Sequence, residues 1–511
     1  MTTRFKDLRN PIAAALFTAF LAACGSDSAT VAQNNFMPEE ADNFMPGESD
    51  PPPVQMPVLL VANAQNPDYA GEDRVFTNPA CDADGNPTRE GGQQHNIILQ
   101  SASNETIAFS VFEPANFDCT KGNPIVLHGH GYGGSRAASP TGVLADLVDS
   151  GAGVITIDQR GYGESGGTVR VMDPDFEGQD LLQILDWAEA NLDWLRYRND
   201  DTLSEDRDFN MVAGATGSSY GGGYQLLIHN IDPLGRLDVL TPDITWNDLR
   251  YSLHPGAVYG VQDYTPEDDG QIAPTGVVKS GWGLFLVAVG EAGSSQNGGQ
   301  DPLIRETLTR AIASNQFPQE SLEFFRYHSP SYYCDPEVAG EQALLSAQGL
   351  TPQDPQVAQA TPRPVDILFT QGFRDSLFNF NDAFHNFACY RSLTDADGNK
   401  ADVRLFTHQT GHILGASTQG VPGFEELATA GLINFPEFDT PTGEAKCGDT
   451  SLGNAQFAFL IQKLFTAEEQ VAILAELDEE KAAAFQSLDD LKGEVFLSHA
   501  DTSGEAVFVD D

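Results

Sequence analysis

Basic side chains are scarce in this chain of 511 residues: 27 Lys and Arg stand against 74 Asp and Glu, a formal net charge of −47. A surface of that sign repels phosphate backbones and anionic headgroups, which argues against nucleic acid and acidic lipid as ligands. The acidity is spread along the chain, so it fits solubility and life in salt, where screening relieves self-repulsion, rather than one binding site. Cysteine is equally sparse, six in all. Cys81, Cys119, Cys334, Cys389 and Cys447 follow no zinc spacing, so no metal is expected from them. Long apolar runs are missing beyond the N-terminus, and no later stretch reads as a membrane span. The length allows one large domain with an insertion, or two domains, and a sizeable core.

The one short apolar run, 13–22, follows Arg4, Lys6 and Arg9 and leads into Leu21-Ala22-Ala23-Cys24-Gly25. Residues 1–23 read as a signal peptide, and the last five residues resemble the bacterial lipobox, with Cys24 as the lipidated residue. An ordinary secretory signal that happens to contain Cys24 is the alternative. Gly25 in place of Asp resembles lipoproteins sorted to the outer membrane. The expectation is an exported bacterial lipoprotein that meets the membrane only through its lipid anchor at Cys24. Cleavage removes three basic and one acidic side chain and takes the formal charge from −47 to −49. Export permits disulfides, and five cysteines suggest two bridges and a free thiol. The expected pairs are Cys81–Cys119 and Cys389–Cys447, each stapling a flanking segment to the core. Residues 24–56, with Asn35-Phe36-Met37-Pro38 repeated as Asn43-Phe44-Met45-Pro46, are too polar to fold alone and read as a tether.

The stretch around which the rest is organised is Gly217-Ser218-Ser219-Tyr220-Gly221, a G-x-S-x-G pattern. A short apolar strand (209–215) precedes it and a helix (220–231) follows, which is the context of a nucleophile elbow. Glycine is needed there because strand and helix approach closely around a strained serine. Ser219 is therefore the candidate nucleophile. A Gly/Ser-rich loop that matches by chance is the bland alternative.

Around the elbow, strands are expected at 95–100, 105–112, 123–127, 153–158, 237–244, 364–370 and 401–407. Helices are expected at 141–150, 176–192 and 380–389. Alternation of this kind predicts an α/β fold with a mostly parallel sheet, helices on both faces, and a site along the C-terminal strand edge. Residues 247–360 break the rhythm, with helices at 277–291, 302–315, 319–327 and 341–348, and read as a helical cap inserted into the sheet domain. The core is thus divided into 57–246 and 361–470. Residues 453–466 and 467–491 look helical, and 471–511 form a C-terminal helix and a short strand-like tail without evident purpose.

A serine hydroxyl needs a base, and the base needs an orienting acid. In this fold the chain order is Ser, acid, His. Asp375 follows one strand in Gly372-Phe373-Arg374-Asp375, and His412 follows the next. Asp382 is the second candidate for the acid. His408 is a rival to His412, which is preferred for the Gly411 before it, and His385 reads as structural. The oxyanion donors are the backbone N–H groups of Tyr220 and Tyr132, with the Tyr132 phenol as an added donor. His128 and His130 lack a nearby carboxylate and make a weak metal pair. Asp82-Ala83-Asp84-Gly85-Asn86 and Asp395-Ala396-Asp397-Gly398-Asn399 start like calcium loops but read better as Asp-Gly turns.

His130-Gly131-Tyr132-Gly133-Gly134-Ser135-Arg136, Asp158-Gln159-Arg160-Gly161-Tyr162-Gly163-Glu164-Ser165-Gly166, the elbow, 244–249, 371–378 and Gly411-His412 together resemble the α/β-hydrolases. More narrowly, they resemble the Xaa-Pro dipeptidyl-peptidase-like and cocaine-esterase-like acyl hydrolases, over roughly residues 95–415. The resemblance implies Ser219, Asp375 and His412 as the triad, no cofactor, and a small ester, amide or peptide as substrate. Those enzymes usually carry a large C-terminal jelly roll, for which fewer than a hundred residues remain here after His412. No carboxylate for a peptide's amino terminus is evident. Three readings follow: an ester or amide hydrolase, a dipeptidyl peptidase on the same site, and a binding lipoprotein without activity. Oligomeric state is not legible.

Overall fold

The computed structural model describes residues 80–198, 211–255, 276–334, 362–412 except 396, 445–489 except 448, 495–499 and 504–507. The signal segment with Cys24, the tether and the helix expected at 341–348 lie outside the described residues.

β1 (Gln94–Gln100) and β2 (Thr106–Phe112) pair antiparallel. β3 (Ile125–Gly129), β4 (Gly153–Ile157), β5 (Ala213–Ser218), β6 (Leu237–Asp243), β7 (Asp366–Gly372) and β8 (Val403–His408) are parallel to their neighbours in that group. A small hairpin joins β9 (Lys446–Cys447) and β10 (Thr450–Ser451). The tail supplies β11 (Val495–Ser498), parallel to β8, and β12 (Gly504–Val507), antiparallel to β11. The order in the large sheet is β1-β2-β4-β3-β5-β6-β7-β8-β11-β12. The tail therefore has a purpose: it continues the sheet past β8.

The sheet helices are α1 (Val143–Asp149), α2 (Glu177–Asn191) and α3 (Tyr220–Ile231). Between β6 and β7 come α4 (Leu249–Leu253), α5 (Ser280–Ser294), α6 (Pro302–Ser314), α7 (Gln319–Tyr327) and α8 (Pro330–Cys334), with no strand among the described residues. α9 (Phe380–Ser392) joins β7 to β8, and α10 (Leu452–Leu464), α11 (Ala467–Glu476) and α12 (Glu479–Asp489) follow the hairpin. Local chemistry sets several boundaries. Asp301 caps α6 ahead of Pro302, and Asn315 ends it in the left-handed conformation at φ 57°. Asn379 and Asp382 form a capping box on α9, as Thr466 and Glu469 do on α11. The single helix expected at 467–491 is two, because the Asp478 carboxylate accepts the Lys481 N–H at 2.8 Å and starts α12 afresh.

Successive residues on a strand face opposite sides of the sheet. Leu368, Val126, Val154 and Phe406 join the buried side chains of α1, α10 and α12 in one core. Phe369 points the other way, with its ring 5.8 Å from Tyr390 of α9. Burying each Leu, Ile or Phe of α10 contributes about 1.5–3 kcal/mol, which is why this helix with four consecutive buried apolar side chains, Phe457 to Leu460, seals the first face.

The disulfides correct one expectation. Cys81 bonds Cys119, but Cys389 bonds Cys334, with Cα atoms 5.9 Å apart, and Cys447 is a free, buried thiol. Cys447 belongs to the core under α10, on the opposite side of the sheet from α9, so the sheet stands between it and Cys389. Burial pushes the Cys447 thiol up to about 12, which keeps it protonated and inert.

Candidate active site

β5 ends at Ser218, and α3 begins at Tyr220, so Ser219 alone makes the turn. Its backbone stands at φ 60°, ψ −118°, a conformation that costs an L-residue roughly 1–3 kcal/mol. The turn closes because its glycines leave room. A Cβ on Gly221 would sit 2.0 Å from the Gly129 carbonyl oxygen, and one on Gly217 would sit 2.6 Å from it. Below the turn, the Ser219 N–H donates to the Asp243 carbonyl at 2.8 Å.

The acid and base candidates come from the turns after β7 and β8. Asp375 Oδ2 lies 2.6 Å from His412 Nδ1 and accepts the His412 backbone N–H at 3.0 Å. Its other oxygen accepts the N–H groups of Leu377 and Phe378 at 2.8 and 2.7 Å. An ionised carboxylate only accepts, so His412 Nδ1 is the donor in this bond, the tautomer that in the neutral ring leaves the lone pair on Nε2. Gly411, at φ 129°, lets the chain pass against Asp375, where a Cβ would meet the Asp375 Cβ at 2.6 Å. Phe378 and Trp282 stand edge-on to the imidazole, with centroids 5.3 and 5.9 Å away.

Ser219 opens on a cavity of about 50 Å³ that it shares with Tyr132, Tyr220, Val171, Trp246 and Phe378, among others. The other lining side chains are Leu, Ile and Phe, most of them from the helices between β6 and β7. Leu377 and Phe378, whose N–H groups donate to the Asp375 carboxylate, are part of this wall, while Asp375 and His412 themselves do not line it. Tyr220 is the first residue of α3, whose N–H groups point out of the helix start. The Tyr132 phenol donates to Gln300 Oε1 at 2.6 Å, so in this arrangement it is committed to the segment before α6.

The remaining candidates have other partners. Asp382 accepts the Asn247 N–H at 3.0 Å and the Ser252 hydroxyl at 2.7 Å, and burial pushes its carboxyl up to about 7. His385 is exposed on α9. His130 uses both ring nitrogens, Nδ1 with the Gly131 carbonyl at 2.7 Å and Nε2 with the Gln159 N–H at 3.1 Å. The Asp82 and Asp395 carboxylates each accept the backbone N–H groups two and four residues on, closing their own turns. No cluster of three or more metal-ligating side chains occurs among the described residues.

One network was missed. His408 Nε2 lies 3.2 Å from Asp243 Oδ1, which also accepts Thr370 Oγ1 at 2.7 Å, and Ser218 Oγ donates to Asp243 Oδ2 at 2.8 Å. Burial alone would raise the Asp243 carboxyl, but the bonds from His408, Thr370 and Ser218 outweigh it and hold the carboxyl below its ordinary value. Two cues were present in the sequence: an Asp at a strand end, and a second His beside the preferred one.

A parallel sheet in this order, flanked by helices, with a strained serine after β5 and an Asp and a His after β7 and β8, has the α/β-hydrolase fold. Residues 103–281 match the family model of the X-Pro dipeptidyl-peptidases (S15 family), a span that includes Ser219 and stops short of Asp375 and His412. With that match the chain is a serine hydrolase, esterase or peptidase. No curated protein matches the chain significantly. Similar solved structures include acetyl xylan esterase 1 from Thermoanaerobacterium sp. at 16% identity and a TM-score of 0.33, over 67% of this chain and 85% of that one. Another is the acylaminoacyl peptidase of Pyrococcus horikoshii, at 13% and 0.34 over 65% of this chain but 39% of that one. A putative dipeptidyl aminopeptidase IV from Bacteroides ovatus stands at 13% and 0.34, over 66% and 36%. Likeness at that level carries no argument about substrate.

Proposed function

We propose that the chain hydrolyses an ester or amide of a short, uncharged acyl group, as a lipoprotein anchored through Cys24 and without a cofactor. The observation that carries this reading is the 2.6 Å Asp375–His412 bond beside an apolar cavity that also holds the strained Ser219. Ser219 Oγ attacks the acyl carbonyl, and its proton passes to His412 Nε2. Asp375 keeps Nδ1 protonated and stabilises the imidazolium as it forms. The N–H groups of Tyr220 and Tyr132 receive the oxyanion. His412 then protonates the leaving group, and water releases the acyl chain by the same steps.

Cleavage of X-Pro peptides on the same site is the second reading, supported by the family match over 103–281. A free amino terminus needs a carboxylate facing Ser219, and among the described residues the cavity wall has none. That favours the neutral acyl group. The deciding experiment labels the purified protein with a fluorophosphonate beside Ser219→Ala, then compares short-chain p-nitrophenyl esters with X-Pro anilides. Labelling lost in the variant, with turnover of esters alone, supports the first reading. Anilide turnover supports the second, and no labelling of folded protein removes both in favour of a binding role.

A further inference from the structure

The cap reaches the Asp375–His412 pair directly, at the turn 375–378. Trp282, on the first turn of α5, is 4% exposed and stands edge-on to the His412 ring. Its Nε1–H donates to Ser376 Oγ at 3.1 Å. Ser376 in turn makes two bonds to the His412 carbonyl oxygen, from Oγ at 2.8 Å and from its backbone N–H at 2.9 Å. Just before α5, Lys279 Nζ donates to the Leu377 carbonyl at 2.5 Å, and burial draws its ammonium below the ordinary lysine value despite Asp382 and Asp375 nearby. Leu377 and Phe378 are the residues whose N–H groups hold Asp375.

We propose that Trp282 is a positioning residue for His412, acting through Ser376, so that the cap is part of the catalytic apparatus and not only a roof over the acyl group. The inference rests on the reading of His412 as the base. The physical basis is the choice of partner: a buried indole N–H needs an acceptor in any case, and here that acceptor is Ser376 Oγ, which itself donates to the His412 carbonyl. Ser376 is exposed, so water is available to it, yet it is bonded between cap and base. A small rotation of His412 moves Nε2 relative to Ser219, and misplacements on the order of 1 Å cost about 10²-fold in rate.

The test is a double-mutant cycle on a short-chain ester. Trp282→Phe keeps a ring against His412 and removes the donor, and Ser376→Ala removes the link. Each is expected to lower kcat about tenfold with KM changed less than about threefold. The double variant is expected to match either single one, because both break the same relay. Ser376→Ala changes one exposed hydroxyl and keeps the backbone bond, so it preserves the test if Trp282→Phe fails to fold. Additive losses, losses confined to KM, or wild-type kcat in Ser376→Ala would overturn the proposal. His412→Ala separates the two levels. If it keeps full activity, the base assignment fails. If it is inactive while Trp282→Phe and Ser376→Ala are normal, only the positioning role fails.

Discussion

Replacing Asp375 by Asn keeps the shape of the site and reverses its proton logic. Four N–H groups converge on the carboxylate: His412 Nδ1 at 2.6 Å and His412 N at 3.0 Å on one oxygen, Leu377 N and Phe378 N at 2.8 and 2.7 Å on the other. An amide offers one acceptor oxygen and one donor nitrogen. Its oxygen best serves the two backbone donors of Leu377 and Phe378, which turns the NH2 group toward His412. The imidazole can meet that donor only by carrying its proton on Nε2 and presenting Nδ1 as acceptor. In that tautomer Nε2 cannot take the Ser219 proton. Asp375→Asn is therefore expected to lower kcat about 10⁴-fold, roughly 5.5 kcal/mol of barrier, with KM within a few-fold. The His412 backbone N–H also loses its acceptor, so stability drops by about 1–3 kcal/mol. Initial rates on p-nitrophenyl acetate and a urea unfolding curve measure both. A variant that keeps more than a tenth of wild-type kcat would refute the assignment of Asp375 and point to Asp243 or Asp382 instead.

Opening the Cys334–Cys389 bridge, by Cys334→Ser with Cys389→Ser, is expected to destabilise the fold by up to about 4 kcal/mol, from the entropy of a loop of 55 residues; an unchanged unfolding midpoint contradicts this. Val171 lines the cavity at φ 63°, a strained conformation for a β-branched residue, so Val171→Gly should leave stability within about 1 kcal/mol while widening the pocket. The ratio of kcat/KM for hexanoyl over acetyl esters should then rise about tenfold, and an unmoved ratio removes Val171 as a size gate. Burial raises Asp180 to about 6, Asp382 to about 7 and Glu177 to about 8, the last with help from Asp173. Each binds its proton more tightly folded than unfolded, so their stabilisation is complete below about pH 4 and is lost as pH rises through those values. Burial lowers His128, His229 and His328 to about 4, which works the other way up to about pH 6.5; above it, the melting temperature at fixed salt should fall from about pH 6.5 to about pH 8.5, and a rise across that window would contradict the direction of these shifts. Gly221→Ala should abolish fluorophosphonate labelling, since its Cβ would press on the Gly129 carbonyl oxygen at 2.0 Å; normal labelling would mean the turn opens without cost.

What was legible in the sequence is what neighbours along the chain decide. Gly217 and Gly221 announce the elbow because their spacing is imposed by a turn only five residues long. Asp375 and His412 could be nominated because each directly follows an apolar run that reads as a strand, and parallel strands bring their C-terminal ends to one edge. Boundaries of α6 and α9 follow from Asp301, Asn315 and Asn379, whose side chains or backbone act on the adjacent turn. What stayed hidden depends on which side of the sheet a segment lies. The expected Cys389–Cys447 bridge would staple a flanking segment to the core, yet Cys447 lies in the core on the far side of the sheet from α9, and Cys389 instead meets Cys334 from the inserted segment. The tail 493–511 gave no clue that it would lie beside β8, since an edge is offered to it only once the sheet exists.

The same limit explains Trp282. In sequence it is one apolar residue on an apolar helix, and burial is reason enough for it. Burial also demands an acceptor for its indole N–H, but that the acceptor is Ser376, in the turn after β7, is settled by the tertiary fold and not by the helix. The strain at Ser219 is set by a local motif, whereas the proposed base is held by Ser376, whose hydroxyl is bonded by Trp282, 130 positions before His412 in the chain. Chemistry of the first kind transfers with a pattern of five residues. Chemistry of the second kind changes with the insertion that supplies it, so caps that differ in sequence can retune His412 while the elbow stays the same.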